Sequence, residues 1–264
     1  MHAGFDIGGR VAVVTGGTSG LGRGIAEGLA AAGAIVVAGS RDAGRVADAR
    51  AALRTLGPAN DARVLDVTDA AAVRALFEGV AAERGRVDIL VNAAGVTHRA
   101  PAVEMALEDW ERVLRVNLTG TFLCCQAAAR AMREQDGGGA IVNIASLASH
   151  VGLPWVAAYG ASKGAVAELT QALAVEWAPL AIRVNAIAPG VFPTPLNRPL
   201  IEGTPRGAWF LHHTPMRRFG EAHELVGAAI YLASPAASYV TGHVLAVDGG
   251  YLACGVPADP PAIA

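Results

Sequence analysis

The sequence predicts an α/β protein built on one doubly wound parallel sheet of about seven strands, with helices on both faces. Short, almost wholly apolar runs recur along the chain, and a longer helical stretch follows most of them. Continuous apolar strands are typical of parallel sheets that are buried on both faces. Strands that alternate with helices indicate βαβ units, and no repeat or linker interrupts the alternation.

Each element has a local reason in the sequence. The apolar runs predict strands at Arg10–Thr15, Ile35–Gly39, Ala62–Leu65, Val87–Asn92, Ala140–Ala145, Ile182–Ala188 and Val244–Val247. The helical stretches are Gly20–Ala32, Ala43–Leu56, Asp69–Arg84, Leu107–Gln135, a helix around Tyr159, and shorter ones near 205–213 and 221–233. Gly57 and Pro58 end the second helix, Asp69 caps the third, and Pro179 ends the Tyr159 helix.

Composition bounds the class of protein. A chain of 264 residues that is 53% hydrophobic and 17% charged can bury a large core. We expect a single domain over 1–264, with its core at about 8–252 and a tail at 253–264. The formal net charge of −2 and the lack of a long basic run argue against nucleic acid and anionic membranes as partners.

The cysteines and the N-terminus predict a cytoplasmic location. Cys124, Cys125 and Cys254 fit no metal-site spacing, so we expect reduced thiols and no metal. The N-terminal residues lack a basic flank followed by an apolar core, so no secretion signal is expected. No apolar run reaches the ~18 residues that a membrane helix needs.

One stretch, from Asn143 to Val166, carries the candidate catalytic groups. Tyr159 and Lys163 are four residues apart on a predicted helix, so their side chains lie on one face. A nearby ammonium favours the phenolate, and we expect Lys163 to lower the pKa of Tyr159 toward the range of general acid–base catalysis. Ser146 follows a buried strand, so its hydroxyl is expected at the carboxyl end of that strand. Such a pair alone is more often an ordinary surface pair.

A glycine-rich turn joins the first strand to the first helix. It has the pattern TGxxxGxG, and its candidate cofactor-binding residues are Gly16, Thr18, Ser19, Gly20, Leu21 and Gly22. Glycines allow the backbone to approach a pyrophosphate, and a helix N-terminus offers free N–H groups to it. An ordinary tight turn is the alternative, but the place of this turn in an alternating chain favours a dinucleotide site.

Six motifs in this order resemble short-chain dehydrogenase/reductases over essentially the whole chain. They are the turn at 15–22, Asn92-Ala-Ala-Gly95, Asn117, Ser146, the Tyr159–Lys163 pair and Pro189-Gly190. The resemblance implies a Rossmann-type domain that transfers hydride between a nicotinamide dinucleotide and a carbonyl or alcohol. It also implies that Ser146 orients the substrate oxygen, Tyr159 moves the proton, Lys163 holds the nicotinamide ribose, and Asn117 holds a water that links Lys163 to solvent.

The same resemblance implies further cofactor contacts. Asn92, Ala93 and Gly95 are expected on the adenine-ribose side of the cofactor. Asp66 and Val67, after the third strand, are expected at the adenine, although Asp66 could instead cap a helix. After the sixth strand, the residues expected at the cofactor are Pro189, Gly190, Val191 and Thr194.

The end of the second strand indicates which dinucleotide binds. Enzymes that prefer NAD place an acid there, which accepts from the ribose 2′-hydroxyl. Here Ser40 holds that position and Arg41 follows, and a guanidinium suits a 2′-phosphate. Asp42 is better placed to cap the second helix. The sequence therefore predicts NADP as the preferred cofactor, with NAD as the alternative.

The segment after the sixth strand, about 190–218, is expected to close over a small-molecule substrate. Its polar residues Asn197, Arg198, His212 and His213 suit a hydroxylated substrate, and the pattern resembles the polyol, aldonate and sugar dehydrogenase branch, such as gluconate 5-dehydrogenases. The first alternative is a 3-oxoacyl-(acyl-carrier-protein) reductase, with Arg130, Arg133, Arg217 and Arg218 as candidate carrier contacts. The second is a non-catalytic dinucleotide-binding module.

Two helices are unusually rich in small residues, and a helix that covers a sheet should be polar outside. The alanines concerned are Ala127, Ala128, Ala129 and Ala131 in one helix and Ala157, Ala158, Ala161 and Ala165 in the other. We expect their outer faces to pack on another subunit. The resemblance implies that these two helices pair across one two-fold axis and the last strand pairs across another. Two such interfaces together give a homotetramer.

Overall fold

The seven predicted strands form one parallel sheet in the computed structural model, which describes residues 3–195 and 197–256. The strands are β1 (Val11–Thr15), β2 (Ile35–Ser40), β3 (Asp61–Val64), β4 (Ile89–Asn92), β5 (Gly139–Ile144), β6 (Ile182–Pro189) and β7 (Val244–Val247). Their order in the sheet is β3-β2-β1-β4-β5-β6-β7, and the neighbouring pairs are parallel. The predicted fold class is therefore confirmed.

Helices connect the strands along the chain. They are α1 (Gly20–Ala31), α2 (Ala43–Leu56), α3 (Ala70–Arg84), α4 (Leu107–Leu114), α5 (Gly120–Met132), α6 (Ala157–Trp177), α7 (Arg198–Ile201), α8 (Pro205–His213) and α9 (Val226–Ala233). The carboxylates of Asp42 and Asp69 cap α2 and α3 as predicted, because each accepts a hydrogen bond from the first turn of its helix.

The long helix predicted over Leu107–Gln135 runs from Leu107 to Met132, and its hydrogen-bond pattern changes in the middle. A π-helical segment, Arg115–Thr119, separates α4 from α5, and it contains Asn117. The sequence signal is Asn117 itself, a poor helix former whose alternative role is a hydrogen bond that closes a local kink. The rest of the stretch has an ordinary helical pattern, with neither Pro nor Gly before Gly120. Wider π turns are rare and often lie at functional sites.

The sheet divides the core into two layers. Alternate residues of a strand point to opposite faces, so Ala12 and Val14 pack under α1 while Val11 and Val13 pack under α3 and α5. Both sets are buried because helices cover both faces, which explains why the strands are apolar throughout.

The sheet order also determines where a ligand can bind. Chain connections run one way from β1 to β2 and β3, and the other way from β4 to β7, so the order reverses between β1 and β4. Open α/β sheets bind ligands in the crevice beyond the strand ends at such a point. Thr15 of β1 and Asn92 of β4 are in register there.

Of the predicted tail at 253–264, residues 257–264 lie outside the described part of the chain.

Within the described ranges, no helix has the length and apolar character needed to cross a bilayer.

Candidate active site

A cleft of ≈ 630 Å³ opens at the carboxyl ends of β1, β2, β4, β5 and β6. It brings together most residues that the sequence predicts for the site. Those that line it are Gly16, Thr18, Ser19, Gly20, Leu21, Gly22, Ser40, Arg41, Asp66, Val67, Ala93, Gly95, Ser146, Tyr159, Lys163, Pro189, Gly190 and Thr194. The predicted residues Asn92, Asn117 and Val191 do not line it.

Backbone approaches backbone closely where β1 turns into α1. Gly16 has φ 68°, and a Cβ on it would lie 2.6 Å from the backbone nitrogen of Ala94. A Cβ on Gly22 would collide with the carbonyl of Gly16. Ser19 precedes α1 without a side-chain capping bond, so the first N–H groups of α1 are free to meet an anion in the cleft. This arrangement fits a dinucleotide pyrophosphate.

The end of β2 presents a hydroxyl and two guanidinium groups. Thr18 Oγ1 donates to Ser40 Oγ at 2.7 Å, which holds the Ser40 hydroxyl at the cleft wall. Arg41 and Arg45 are both exposed side chains that line this part of the cleft. Asp42 lies between them, but its carboxylate accepts from the Arg45 backbone N–H at 2.9 Å. Arg45 is a cleft residue that the sequence analysis missed; it lies in the first turn of α2, three residues after the N-cap Asp42.

The sequence left two interpretations of Asp66 open, a contact to the adenine and a helix cap. Because Asp69 caps α3, the cap does not apply to Asp66. Asp66 lines the cleft, but its Oδ1 also accepts from the backbone N–H and the hydroxyl of Thr68, at 2.9 and 2.8 Å. Burial acts to raise the pKa of Asp66, yet the Thr68 hydrogen bonds and the charge of Arg41 outweigh it and hold the pKa below its ordinary value. The group is therefore an ionised acceptor held in place by the start of the next connection.

On the opposite wall, β5 and α6 place the three candidate catalytic side chains together. Ser146 follows β5 by two residues, and its Oγ accepts from the Ala148 N–H at 3.1 Å. Tyr159 and Lys163 lie one turn apart on α6, and the Lys163 Nζ is 5.8 Å from the Tyr159 ring centroid. All three side chains line the cleft.

Lys163 is almost completely buried, with 5% of it exposed. Its Nζ donates to the Ile144 carbonyl at 2.6 Å, and the Ser149 hydroxyl donates to the Lys163 carbonyl at 2.8 Å. Burial lowers the pKa of Lys163 to about 8, because an ammonium loses hydration inside the protein. The side chain is thus tied to β5 and can change charge close to physiological pH.

The pKa of Tyr159 differs from the prediction. Burial raises it above its ordinary value, and the hydrogen bond with Ser146 opposes this effect without overcoming it. The Lys163 ammonium donates to the Ile144 carbonyl, and it lies 5.8 Å from the centroid of the Tyr159 ring. The predicted lowering of the Tyr159 pKa by Lys163 is wrong for this structure, which keeps the phenol protonated.

Asn117 lies next to the cleft, in the π-helical segment. Its Oδ1 accepts from the Val96 N–H at 2.8 Å, and its Nδ2 donates to the Val96 carbonyl at 2.9 Å and to the Ser162 hydroxyl at 3.0 Å. The side chain is fully buried. These bonds join the π-helical segment, the loop that follows β4, and α6 just before Lys163.

Asn92 and Val191 lie outside the cleft for different reasons. The Asn92 side chain is buried on the face of the sheet that α5 covers. It accepts from Thr15 Oγ1 at 3.3 Å and donates to Asn143 Oδ1 at 3.0 Å. Val191 lines a neighbouring cavity of ≈ 390 Å³, on the other side of Phe192. Successive side chains of an extended backbone point to opposite sides. Val191 therefore faces away from the cleft, which Gly190 and Phe192 line.

The polar residues expected to meet a hydroxylated substrate are largely occupied within their own segment. Asn197 accepts from Thr194 N at 2.7 Å and donates to the Phe192 carbonyl at 3.0 Å. Arg198 pairs with Glu202 at 3.2 Å. The two histidines make local contacts: His213 stacks on Trp209 at 3.9 Å between ring centroids, and His212 Nδ1 is 3.1 Å from the Arg217 guanidinium. These side chains shape the segment, and of them only Asn197 lines the cleft.

Across residues 3–195 and 197–256, no group of three or more His, Cys, Asp or Glu side chains could hold a metal ion.

Comparison with known proteins supports the site. The family model that matches residues 16–252 carries the description Enoyl-(Acyl carrier protein) reductase. The chain is 45% identical over 247 residues to D-threitol dehydrogenase of Mycolicibacterium smegmatis, covering 94% of each chain. It is 41% identical to gluconate 5-dehydrogenase of Gluconobacter oxydans, covering 93% of this chain and 96% of the other.

A solved structure gives the same result in three dimensions. The crystal structure of a gluconate 5-dehydrogenase from Burkholderia cenocepacia, in complex with NADP and tartrate, is 42% identical to this chain. The TM-score is 0.91, with 95% of this chain and 98% of the other covered. The resemblance read from the six motifs is confirmed: the chain belongs to the short-chain dehydrogenase/reductase family.

Proposed function

We propose that this protein is an NADP-dependent oxidoreductase that interconverts a secondary alcohol and a ketone on a sugar acid, a polyol or a related hydroxylated small molecule. The observation that carries the proposal is the cleft itself. One wall offers free helix N–H groups to a pyrophosphate, and the other wall holds Ser146, Tyr159 and Lys163 together. The relatives named above act on substrates of this class.

Each of the three side chains has a role that follows from its surroundings. A reduced nicotinamide supplies the hydride when it is bound. Ser146 donates a hydrogen bond to the substrate oxygen and orients it, and Tyr159, whose raised pKa leaves the phenol protonated at neutral pH, gives its proton to that oxygen during reduction. Lys163, fixed to the Ile144 carbonyl, supplies positive charge beside the phenol as negative charge develops there. Oxidation of the alcohol reverses these steps.

Asn117 has a supporting role in this proposal. Its amide joins the Val96 backbone to Ser162, the residue immediately before Lys163 on α6. We propose that it keeps Lys163 at the correct depth in the cleft and orders a water behind it, as the family resemblance implies.

NADP is favoured over NAD by the charges at the end of β2. Ser40 stands where a carboxylate would repel a 2′-phosphate, and Arg41 and Arg45 face the same part of the cleft. Asp42 also lines the cleft, but its carboxylate accepts from the Arg45 backbone N–H at the start of α2 and lies 3.9 Å from the Arg45 guanidinium. Related solved structures contain NADP, including the gluconate 5-dehydrogenase described above.

The acyl-carrier alternative has less support. An acidic carrier protein needs a basic surface, but Arg133 and Arg218 pair with Glu134 and Glu224 at 2.8 and 2.7 Å. The non-catalytic alternative would leave three polar side chains converging on one wall without a task. Turnover assays separate all three: the purified protein is mixed with NADPH or NADP and with keto-acids, aldonates, polyols and a β-keto thioester, and nicotinamide absorbance is followed. Turnover of the thioester alone, or of none, contradicts the proposal.

We further infer a homotetramer. On α6, Ala157 and Ala161 are exposed and Val175 is 80% exposed, which is unusual for an apolar residue on a helix. Phe122 on α5 is also exposed, although Ala127, Ala128 and Ala129 are buried within the chain and do not form the outer face as expected. The edge strand β7 offers a second apolar surface. Light scattering at micromolar concentration tests the state, and a monomer mass contradicts it.

We also propose a single domain and a cytoplasmic location. One seven-stranded sheet runs from β1 to β7, with no second sheet in the described part of the chain. Cys124, Cys125 and Cys254 are free, and the first two are buried, as expected for a reducing compartment. Limited proteolysis tests the first point and fractionation of the source cells the second; separate stable fragments, or recovery outside the cytoplasm, would contradict them.

A further inference from the structure

We propose that Thr170, acting through Asn143, is a positioning residue that holds α6 in register on β5 and thereby holds Tyr159 and Lys163 opposite Ser146. The inference rests on the function proposed above, because it concerns the same reaction. It is carried by a chain of buried hydrogen bonds that crosses the sheet beneath the cleft.

The bonds run in one direction, from the cofactor turn to α6. Thr15 Oγ1 donates to Asn92 Oδ1 at 3.3 Å, and Asn92 Nδ2 donates to Asn143 Oδ1 at 3.0 Å. Asn143 Nδ2 donates to Thr170 Oγ1 at 2.9 Å, and that hydroxyl donates to the Val166 carbonyl at 2.7 Å. The four side chains are at most 3% exposed. We call this set, Thr15, Asn92, Asn143 and Thr170, the buried polar chain.

The buried polar chain is uncharged. The Cys125 thiol, which contacts both asparagines, has its pKa raised to about 12 by burial, so it stays neutral. Amides and hydroxyls in a dry core are stabilising only while each finds its partner. Such a chain therefore specifies one relative position of the elements that it joins, and it does not itself accept or release protons.

The position that it specifies is the one on which the reaction depends. Asn143 immediately precedes Ile144, whose carbonyl accepts from Lys163 Nζ, and it is three residues before Ser146. Thr170 is seven residues after Lys163, about two helical turns along the same face of α6. The helix is thus fastened to β5 at two points on one side. Without the Thr170 bond, α6 keeps its apolar packing and its hydrogen bonds at Ser162 and Lys163. It loses the polar contact that fixes its register on β5, and we expect Tyr159 to shift as a result.

The test is Thr170→Val, which keeps the shape of the side chain but leaves the Asn143 amide without its acceptor. A shift of the order of 1 Å at reacting groups typically costs up to ~10²-fold, so we expect kcat to fall about ten- to a hundredfold. KM and the NADPH dissociation constant should change by no more than about twofold, because the contacts proposed for the pyrophosphate and the 2′-phosphate belong to α1, Arg41 and Arg45, none of which lies on α6. Thr170→Ser, which retains the hydroxyl, should recover most of kcat.

A matched control removes another buried hydroxyl. Ser234 is fully buried at the end of α9, and its hydroxyl donates to the Tyr231 carbonyl at 3.0 Å. Ser234→Ala should lower the melting temperature but leave kcat unchanged. An equal loss of kcat in Ser234→Ala would show a general loss of structure and overturn the proposal.

A second measurement does not depend on turnover. Native-state hydrogen exchange of the peptide around Tyr159–Lys163 should be faster in Thr170→Val than in wild type or Ser234→Ala. If Thr170→Val does not fold, Thr170→Ala, which leaves room for a water, takes its place with the same expectations. Unchanged exchange, or unchanged kcat in an active protein, overturns the positioning role. A wild type that turns over no substrate contradicts the proposed function alone, and the exchange result still decides this inference.

Discussion

The two walls of the cleft are built on different principles. We define the cofactor wall as Gly16–Gly22 with Ser40 and Arg41, and the reaction wall as Ser146 with Tyr159 and Lys163. The cofactor wall consists mainly of backbone: at Gly16 a Cβ has no room, and we propose that the N–H groups of α1 bind the pyrophosphate. The reaction wall works through side chains whose protonation depends on burial.

The difference teaches which kind of change each wall tolerates. A missing functional group on the reaction wall should abolish chemistry while the fold and cofactor binding survive. An added methyl on the cofactor wall should weaken binding without touching the chemical groups. Four substitutions test this contrast, from the largest expected effect to the smallest.

Tyr159→Phe should give the largest effect. It keeps the ring and its packing but removes the proton that reduction consumes, so kcat should fall by ~10²–10⁴-fold. NADPH affinity, measured by fluorescence titration, should remain within about twofold of wild type, because the loss is in the transition state. Tyr239→Phe, at a fully exposed tyrosine, is the control and should change neither quantity. A loss of kcat below tenfold would rule out Tyr159 as the acid.

Lys163→Met tests how burial sets charge on the reaction wall. Folded Lys163 releases its proton near pH 8, whereas the unfolded chain holds it to about pH 10.4. Between these values the unfolded state binds more protons, so the free energy of unfolding contributed by this group rises with pH, by up to about 3 kcal/mol.

The measurement is urea unfolding of wild type and Lys163→Met from pH 7.5 to about 10. All other groups titrate in both proteins, so their difference isolates Lys163. The stability of wild type relative to the variant should increase as pH rises through this window. Parallel pH dependences in the two proteins would mean that Lys163 titrates at its ordinary pKa.

Arg41→Ala tests the one part of the cofactor wall that works through charged side chains. Loss of a charge-assisted contact to the 2′-phosphate should weaken NADPH binding by about 1.5–3 kcal/mol and leave NADH binding nearly unchanged. Arg74→Ala removes the same charge from an exposed position on α3 outside the cleft and controls for net charge. Equal losses for both cofactors in Arg41→Ala would contradict the NADP assignment.

Gly16→Ala should give the smallest effect that still separates the walls. Its Cβ would meet backbone of Ala94 at a φ that disfavours side chains, so the turn must move, and NADPH binding should weaken by roughly 1–3 kcal/mol. Gly85→Ala is the matched control: Gly85 has φ 78° but open space around its Cβ. It should lose about 1 kcal/mol of stability and no NADPH affinity. Equal NADPH affinities in the two variants would show that close backbone approach at Gly16 is unimportant.

Most of the fold could be predicted because its determinants are local. A strand buried on both faces must be apolar throughout, and a helix start needs a cap, so β1 and the Asp42 and Asp69 caps are visible in the sequence. The turn at Gly16 is visible for the same reason, since only glycine fits where backbone meets backbone.

Tertiary structure alone decided the surroundings of the side chains. The sequence placed Lys163 beside Tyr159. Only the packed structure shows that the Lys163 ammonium donates to the Ile144 carbonyl and that burial raises the pKa of Tyr159. The sequence could not predict the π-helical segment at Asn117, because the partners that stabilise it are Val96 and Ser162, both far along the chain. A pattern of residue types determines which elements form. Contacts from other elements determine the pKa of a group, the direction of a hydrogen bond and the position of a π-helical segment. Those contacts exist only after folding.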